Sequence, residues 1–86
     1  MRKFDWPATQ VDWEQLAAAI VKANLKVARM SYVDLERELT KLGVSDHHKL
    51  ISARLARGKF PASFFLQALA VTGVEYIELP ERPTED

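Results

Sequence analysis

The sequence predicts an all-α bundle of four or five helices, and three observations carry that expectation. Capping signatures precede apolar runs of helical period at "VDWEQL" and at "MSYVDL". A Leu-x-x-x-Gly-Val ending occurs twice, in "LTKLGV" and "LAVTGV", and it is the pattern of a helix closed by a left-handed glycine. Only "EYIEL" (75–79) has strand-like composition.

Taken in order, helix 1 is expected at about 12–29. Asp12 would cap it, Gln15 holds the reciprocal capping-box position, and Val11 and Leu16 have staple spacing. Its inner face reads as Trp13, Leu16, Ala17, Ile20, Ala23 and Val27. Helix 2, about 32–42, begins at a Ser31 cap with Asp34 three residues on and Met30 and Leu35 as the staple. It would bury Val33, Leu35, Leu39 and Leu42 and stop at Gly43.

Helix 3, about 46–57, runs from a Ser45 cap to Gly58, with Leu50, Ile51 and Leu55 inward. Helix 4, about 61–72, starts near Pro61, which a first turn tolerates, and carries Phe64, Phe65, Ala68 and Leu69 before Gly73. The 75–79 segment could pair with "FDW" near the N-terminus, pair with its own copy in a dimer, or pack irregularly on the bundle. "PERPTED" (80–86) is proline-broken and acidic, so residues 1–79 are expected to form the domain and the rest a frayed tail.

Composition narrows the classes. Eighty-six residues make one small domain, near the lower limit of what a single core stabilises unaided. No cysteine is present, which excludes disulfide staples and thiolate sites and suits a reducing cytoplasm. The longest apolar runs fall far short of a membrane span, and "MRKFDWPATQ" lacks an apolar signal core. The expectation is a soluble cytoplasmic domain with no membrane partner.

Charge is uneven along the chain although the formal total is zero. Residues 41–59 carry Lys41, Lys49, Arg54, Arg57 and Lys59 against Asp46, a net +4. Residues 75–86 carry Glu75, Glu78, Glu81, Glu85 and Asp86 against Arg82, a net −4. Such a local basic block, unlike a neutral average, points to an anionic partner.

On a helical wheel the side of helix 3 opposite Ile51 and Leu55 shows Lys49, Ser52, Ala53, Ala56 and Arg57. Long cations at the rim with short side chains between them suit a helix entering a major groove. Lys49, Ser52, Ala53 and Arg57 are therefore the expected base-facing residues. Tyr32, Lys41, Arg54 and Lys59 would hold or flank phosphates. Solvated cations and helix-favouring alanines are the plainer explanation. The order of a capped helix, an "LGVS" turn, a basic helix and then "RGKFP" favours a helix-turn-helix.

The stretch "YVDLERELTKLGVSDHHKLISARLARGKFPASFFLQALAVTGV" resembles a small bacterial family known as domain of unknown function 6471. The shared features are a tyrosine-led second helix, the "LGV" turn, the "RGKF" block and the "FxLQxLxxxGV" fourth helix. That family is in turn similar to λ-repressor-like (XRE-type) DNA-binding domains. The resemblance implies a second helix lying across the DNA backbone and a third reading the major groove. The intervals Leu35–Gly43 and Gly43–Gly58 are each longer than in that superfamily, by roughly one helical turn. Arg57, Gly58, Lys59 and Phe60 carry over as the family's block, with no role attached to them.

Other constellations carry less. In "DHH" (Asp46, His47, His48) adjacent helical histidines would diverge by about 100°, so no metal site is expected; one histidine would pack inward and one face solvent. Ser31 and Ser45 are accounted for as caps, and Ser52 and Ser63 have no activating histidine and acid. Phe4, Trp6, Trp13 and Phe60 read as packing residues. No catalysis, cofactor or small-molecule substrate is expected. The reading is a helix-turn-helix regulator that binds double-stranded DNA as a homodimer. The alternative is a non-catalytic protein-interaction module using the same face of helix 3.

Overall fold

The computed structural model describes residues 5–84. The expected packing of Phe4 and the Glu85–Asp86 end of the tail lie outside the described residues. Among the described residues four helices form: α1 (Gln10–Val27), α2 (Tyr32–Lys41), α3 (His48–Arg57) and α4 (Ala62–Val71). The all-α class is as the sequence predicts, with no strand among the described residues.

The start of α1 lies two residues earlier than expected, because its cap is Thr9 and not Asp12. Thr9 Oγ1 accepts the Asp12 N–H at 3.1 Å, and the Asp12 carboxylate accepts the Thr9 N–H at 3.2 Å. Asp12 thus serves as the third helical residue of a capping box. Ser31 and Asp34 make the same box at the head of α2, as expected, at 3.1 and 2.9 Å.

Both Gly-Val endings are Schellman turns. Val44 N–H donates to Leu39 O at 3.0 Å and Gly43 N–H to Thr40 O at 2.9 Å; Val74 and Gly73 repeat this on Leu69 and Ala70. A third turn of this kind ends α1. Met30 N–H donates to Leu25 O and Arg29 N–H to Lys26 O, with Arg29 itself at φ 57°. An arginine in the left-handed region gives no sequence signal, which is why helix 1 was expected to reach residue 29.

The start of α3 also differs from expectation. Its cap is His47, whose Nδ1 accepts the Lys49 N–H at 3.1 Å, and not Ser45. The next free amide, His48 N–H, donates to Glu36 Oε1 of α2 at 2.7 Å. Two of the orphan donors at this helix end are therefore satisfied, one of them from another helix. At α4, Pro61 is the residue before the first turn and offers no side-chain cap.

The backbones of α1 and α2 do not approach each other; each packs on both α3 and α4. The core between them is Ala18, Ile20, Val21, Leu25, Leu35, Leu39, Ile51, Leu55, Phe64, Ala68 and Leu69. The α1 stripe is Ala18, Val21 and Leu25 beside Ile20, so the expected stripe was displaced. Val27 is 83% exposed, Trp13 lies at the surface and Leu16 is only partly buried. An alanine-rich helix is apolar on several sides, and fully buried Ala18 favours the side where a neighbour can come closest.

Val33 and Leu50 are exposed for a different reason. Val33 lies about 200° around α2 from Leu35, and Leu50 about 100° around α3 from Ile51. Leu42 sits beyond the last turn of α2 and is also exposed; Val44 packs on the core in its stead. Residues 75–79 form no strand and lie as irregular chain, with Val74 and Ile77 packed on the core and Pro80 buried beyond them. Trp6 and Trp13 meet edge to face at 5.1 Å on the surface beside an open pocket lined by Asp5, Pro7, Asp12 and Leu16.

Candidate nucleic-acid interface

The outer face of α3 follows from its inner one. Ile51 and Leu55 are fully buried, which turns Lys49, Ser52, Ala53, Ala56 and Arg57 outward, and all five are exposed. The helix of ten residues is about 15 Å long. Lys49 stands near its start and Arg57 at its end, with only short side chains between them on this face. Neither cation makes an ion pair or hydrogen bond through its side chain among the described residues, and the same holds for exposed Lys59. The face offers an anion flexible donors at both ends and close backbone approach at its middle.

The residues after Arg57 pin this face in place. Gly58 adopts φ 71°, and a Cβ there would overlap the Glu14 main-chain carbonyl, so α3 ends in direct apposition to α1. Gln15 Nε2 donates to Arg57 O across the same junction at 3.4 Å. Phe60 then turns inward, with its ring 5.2 Å from Phe64 and 6.4 Å from Phe65. In "RGKF", two residues anchor the end of α3 and two present cations outward.

The expected phosphate-facing set divides. Lys59 is free. Lys41 is exposed but pairs with Glu38 one turn earlier on α2, at 2.9 Å. Tyr32 is half-buried at the head of α2, against the core. Arg54 faces inward: its guanidinium pairs with Asp46 at 2.9 Å, both side chains about four-fifths buried, and lies 5.0 Å over the Phe64 ring. It braces the turn before α3 against α4 and is not available to a phosphate.

One grouping was missed by the sequence reading. His48 Nδ1 lies 2.8 Å from Glu36 Oε1, and the His47 and His48 rings are 4.1 Å apart with planes tilted by 31°. His47 is exposed and His48 half-buried. The His48 side-chain and backbone hydrogen bonds hold the Glu36 carboxyl below its ordinary range. Glu36 and His48 are twelve residues apart, and nothing local in the sequence announces their meeting.

No curated protein and no solved structure matches this chain. Residues 13–77, which span all of α2, α3 and α4 and most of α1, match the family described as "Domain of unknown function (DUF6471)". The chain belongs to that family.

Proposed function

We propose that this domain binds double-stranded DNA, with α2 and α3 as a helix-turn-helix of the λ-repressor kind and α3 as the element that enters the major groove. The observation that carries the reading is the outer face of α3. Lys49 and Arg57 stand exposed and unpaired among the described residues, at either end of a surface made of Ser52, Ala53 and Ala56. In this reading Lys49, Ser52, Ala53 and Arg57 face the bases, and Lys59 and Lys41 neutralise phosphates. Tyr32 flanks the backbone from the head of α2.

One subunit offers few base contacts, so selectivity calls for two. A homodimer would set its third helices about 34 Å apart on one face of a duplex. The protein would then act in the bacterial cytoplasm as a transcriptional regulator. Leu50, 42% exposed beside the alanines, favours the second reading, in which the same face receives a partner helix.

The test is a titration of random and genomic duplexes at low salt, with sedimentation of the free and bound protein. Two neutralised phosphates per subunit, at Lys41 and Lys59, predict a slope of log K against log salt of about −1.8 per subunit. Binding independent of salt, or none at tens of micromolar protein, would favour the partner-helix reading. Monomers throughout would remove the dimer alone.

A further inference from the structure

We propose that Glu36, His47 and His48 form a binding site for a divalent transition-metal ion of the zinc class. The objection from sequence was that adjacent histidines on a helix diverge. That objection does not apply, because His47 is not helical: it is the extended residue before α3, at φ −69° and ψ 147°. Its ring comes round to lie 4.1 Å from that of His48. Each of the three residues offers one ligand atom, and the three atoms lie within 4.8 Å of one another.

The chemistry of the donors suits such an ion. Two imidazoles and one carboxylate select zinc, nickel, cobalt or copper over magnesium and calcium. Three protein ligands with water completing the shell form a recognised zinc arrangement. An open pocket of about 180 Å³, lined by Glu36, Thr40, Ser45, Asp46 and His47, gives that water room.

Little has to move. Two ligands at about 2.0–2.1 Å from zinc stand a little over 3 Å apart in a tetrahedral shell, and the Glu36–His48 separation is already 2.8 Å. The ion would take the place of the hydrogen shared by His48 Nδ1 and Glu36 Oε1, and in a ligating neutral imidazole the ring proton sits on the other nitrogen, Nε2. The His47 Nδ1 lone pair accepts the Lys49 N–H; to bind the ion through Nδ1 the ring gives up that cap, and the exposed Lys49 amide turns to water. The ion would tie the middle of α2 to the start of α3. This inference stands apart from the DNA reading.

The experiment uses the full untagged chain, stripped with chelator, in calorimetric titrations with zinc chloride at neutral pH. The expected result is one zinc per chain, with affinity falling about tenfold or more in each of His47→Ala, His48→Ala and Glu36→Gln. Circular dichroism of each variant separates loss of the site from loss of the fold. Ring proton spectra of the unsubstituted protein provide a readout that needs no variant: zinc should shift both histidines and leave Trp6 and Trp13 unmoved. No heat or shift at millimolar zinc, or binding that survives all three substitutions, would overturn the proposal.

Discussion

Gly58 closes α3 directly against the main chain of Glu14, and no Cβ could stand between them. The glycine is required twice over, by its left-handed φ of 71° and by this contact. Gly43 also has a positive φ, 84°, but open space beside it. Gly58→Ala is therefore expected to cost about 3 kcal/mol or more, combining conformational strain with overpacking. Gly43→Ala should cost only the strain, about 1–2 kcal/mol. Urea denaturation of the two variants measures the difference; equal losses would contradict the close approach of α1 and α3.

Arg29 closes α1 in the conformation that glycine holds at the other two Schellman turns. Arg29→Gly should therefore stabilise the domain, by about 0.5–1 kcal/mol after the added freedom of the unfolded chain is subtracted. A lowered Tm would mean that the arginine side chain contributes something its backbone position conceals.

Much of the fold was legible because its signals are local. Ser31 with Asp34, Gly43 with Thr40, and Val44 with Leu39 make their hydrogen bonds within six residues of chain, and the residue types alone specify them. The α1 register was not legible, since Ala17, Ala18, Ala19, Ile20 and Val21 are apolar together and only the shape of the neighbours chooses among them. The first free amide of α3, His48 N–H, is satisfied by Glu36 from another helix, which no local pattern signals. In the candidate site, Ile51 and Leu55 fix the outward side, so Lys49 and Arg57 could be placed from periodicity. Arg54 could not, because its pairing with Asp46 and Phe64 is tertiary.

That pairing leads to a prediction. Arg54→Ala should destabilise the domain by about 1–3 kcal/mol, through loss of a charge-assisted hydrogen bond and a cation–π contact. Thermal unfolding reads the loss. Duplex binding below the unfolding temperature should keep the salt slope of the unsubstituted protein, since Arg54 meets no phosphate; a slope flattened by about one unit would place it at the DNA instead.

Asp34 provides a pH test of the α2 cap. Its carboxyl is held below the ordinary 3.8, first by the Ser31 N–H, then by the Ser31 hydroxyl and by Arg37. A lowered folded-state value means that the stabilisation is present above the ordinary pKa and is lost as the pH falls through the folded one. The Tm of Asp34→Asn should thus lie below that of the parent at neutral pH. The gap should close progressively below pH 3.8, and a gap that does not depend on pH would argue against the ionised cap.

The central claim is that a duplex lies on the outer face of α3, and amide chemical-shift mapping of the labelled protein with duplex DNA at low salt tests it most directly. The account predicts that Lys49, Ser52, Ala53, Arg57 and Lys59 move together as duplex is added. Lys59→Ala should weaken all duplexes alike and reduce the salt slope by about one unit. Arg57→Ala should cost about 1–3 kcal/mol on a preferred site and little elsewhere. Shifts confined to α1 and α4, or none at all with duplex in excess, would contradict it.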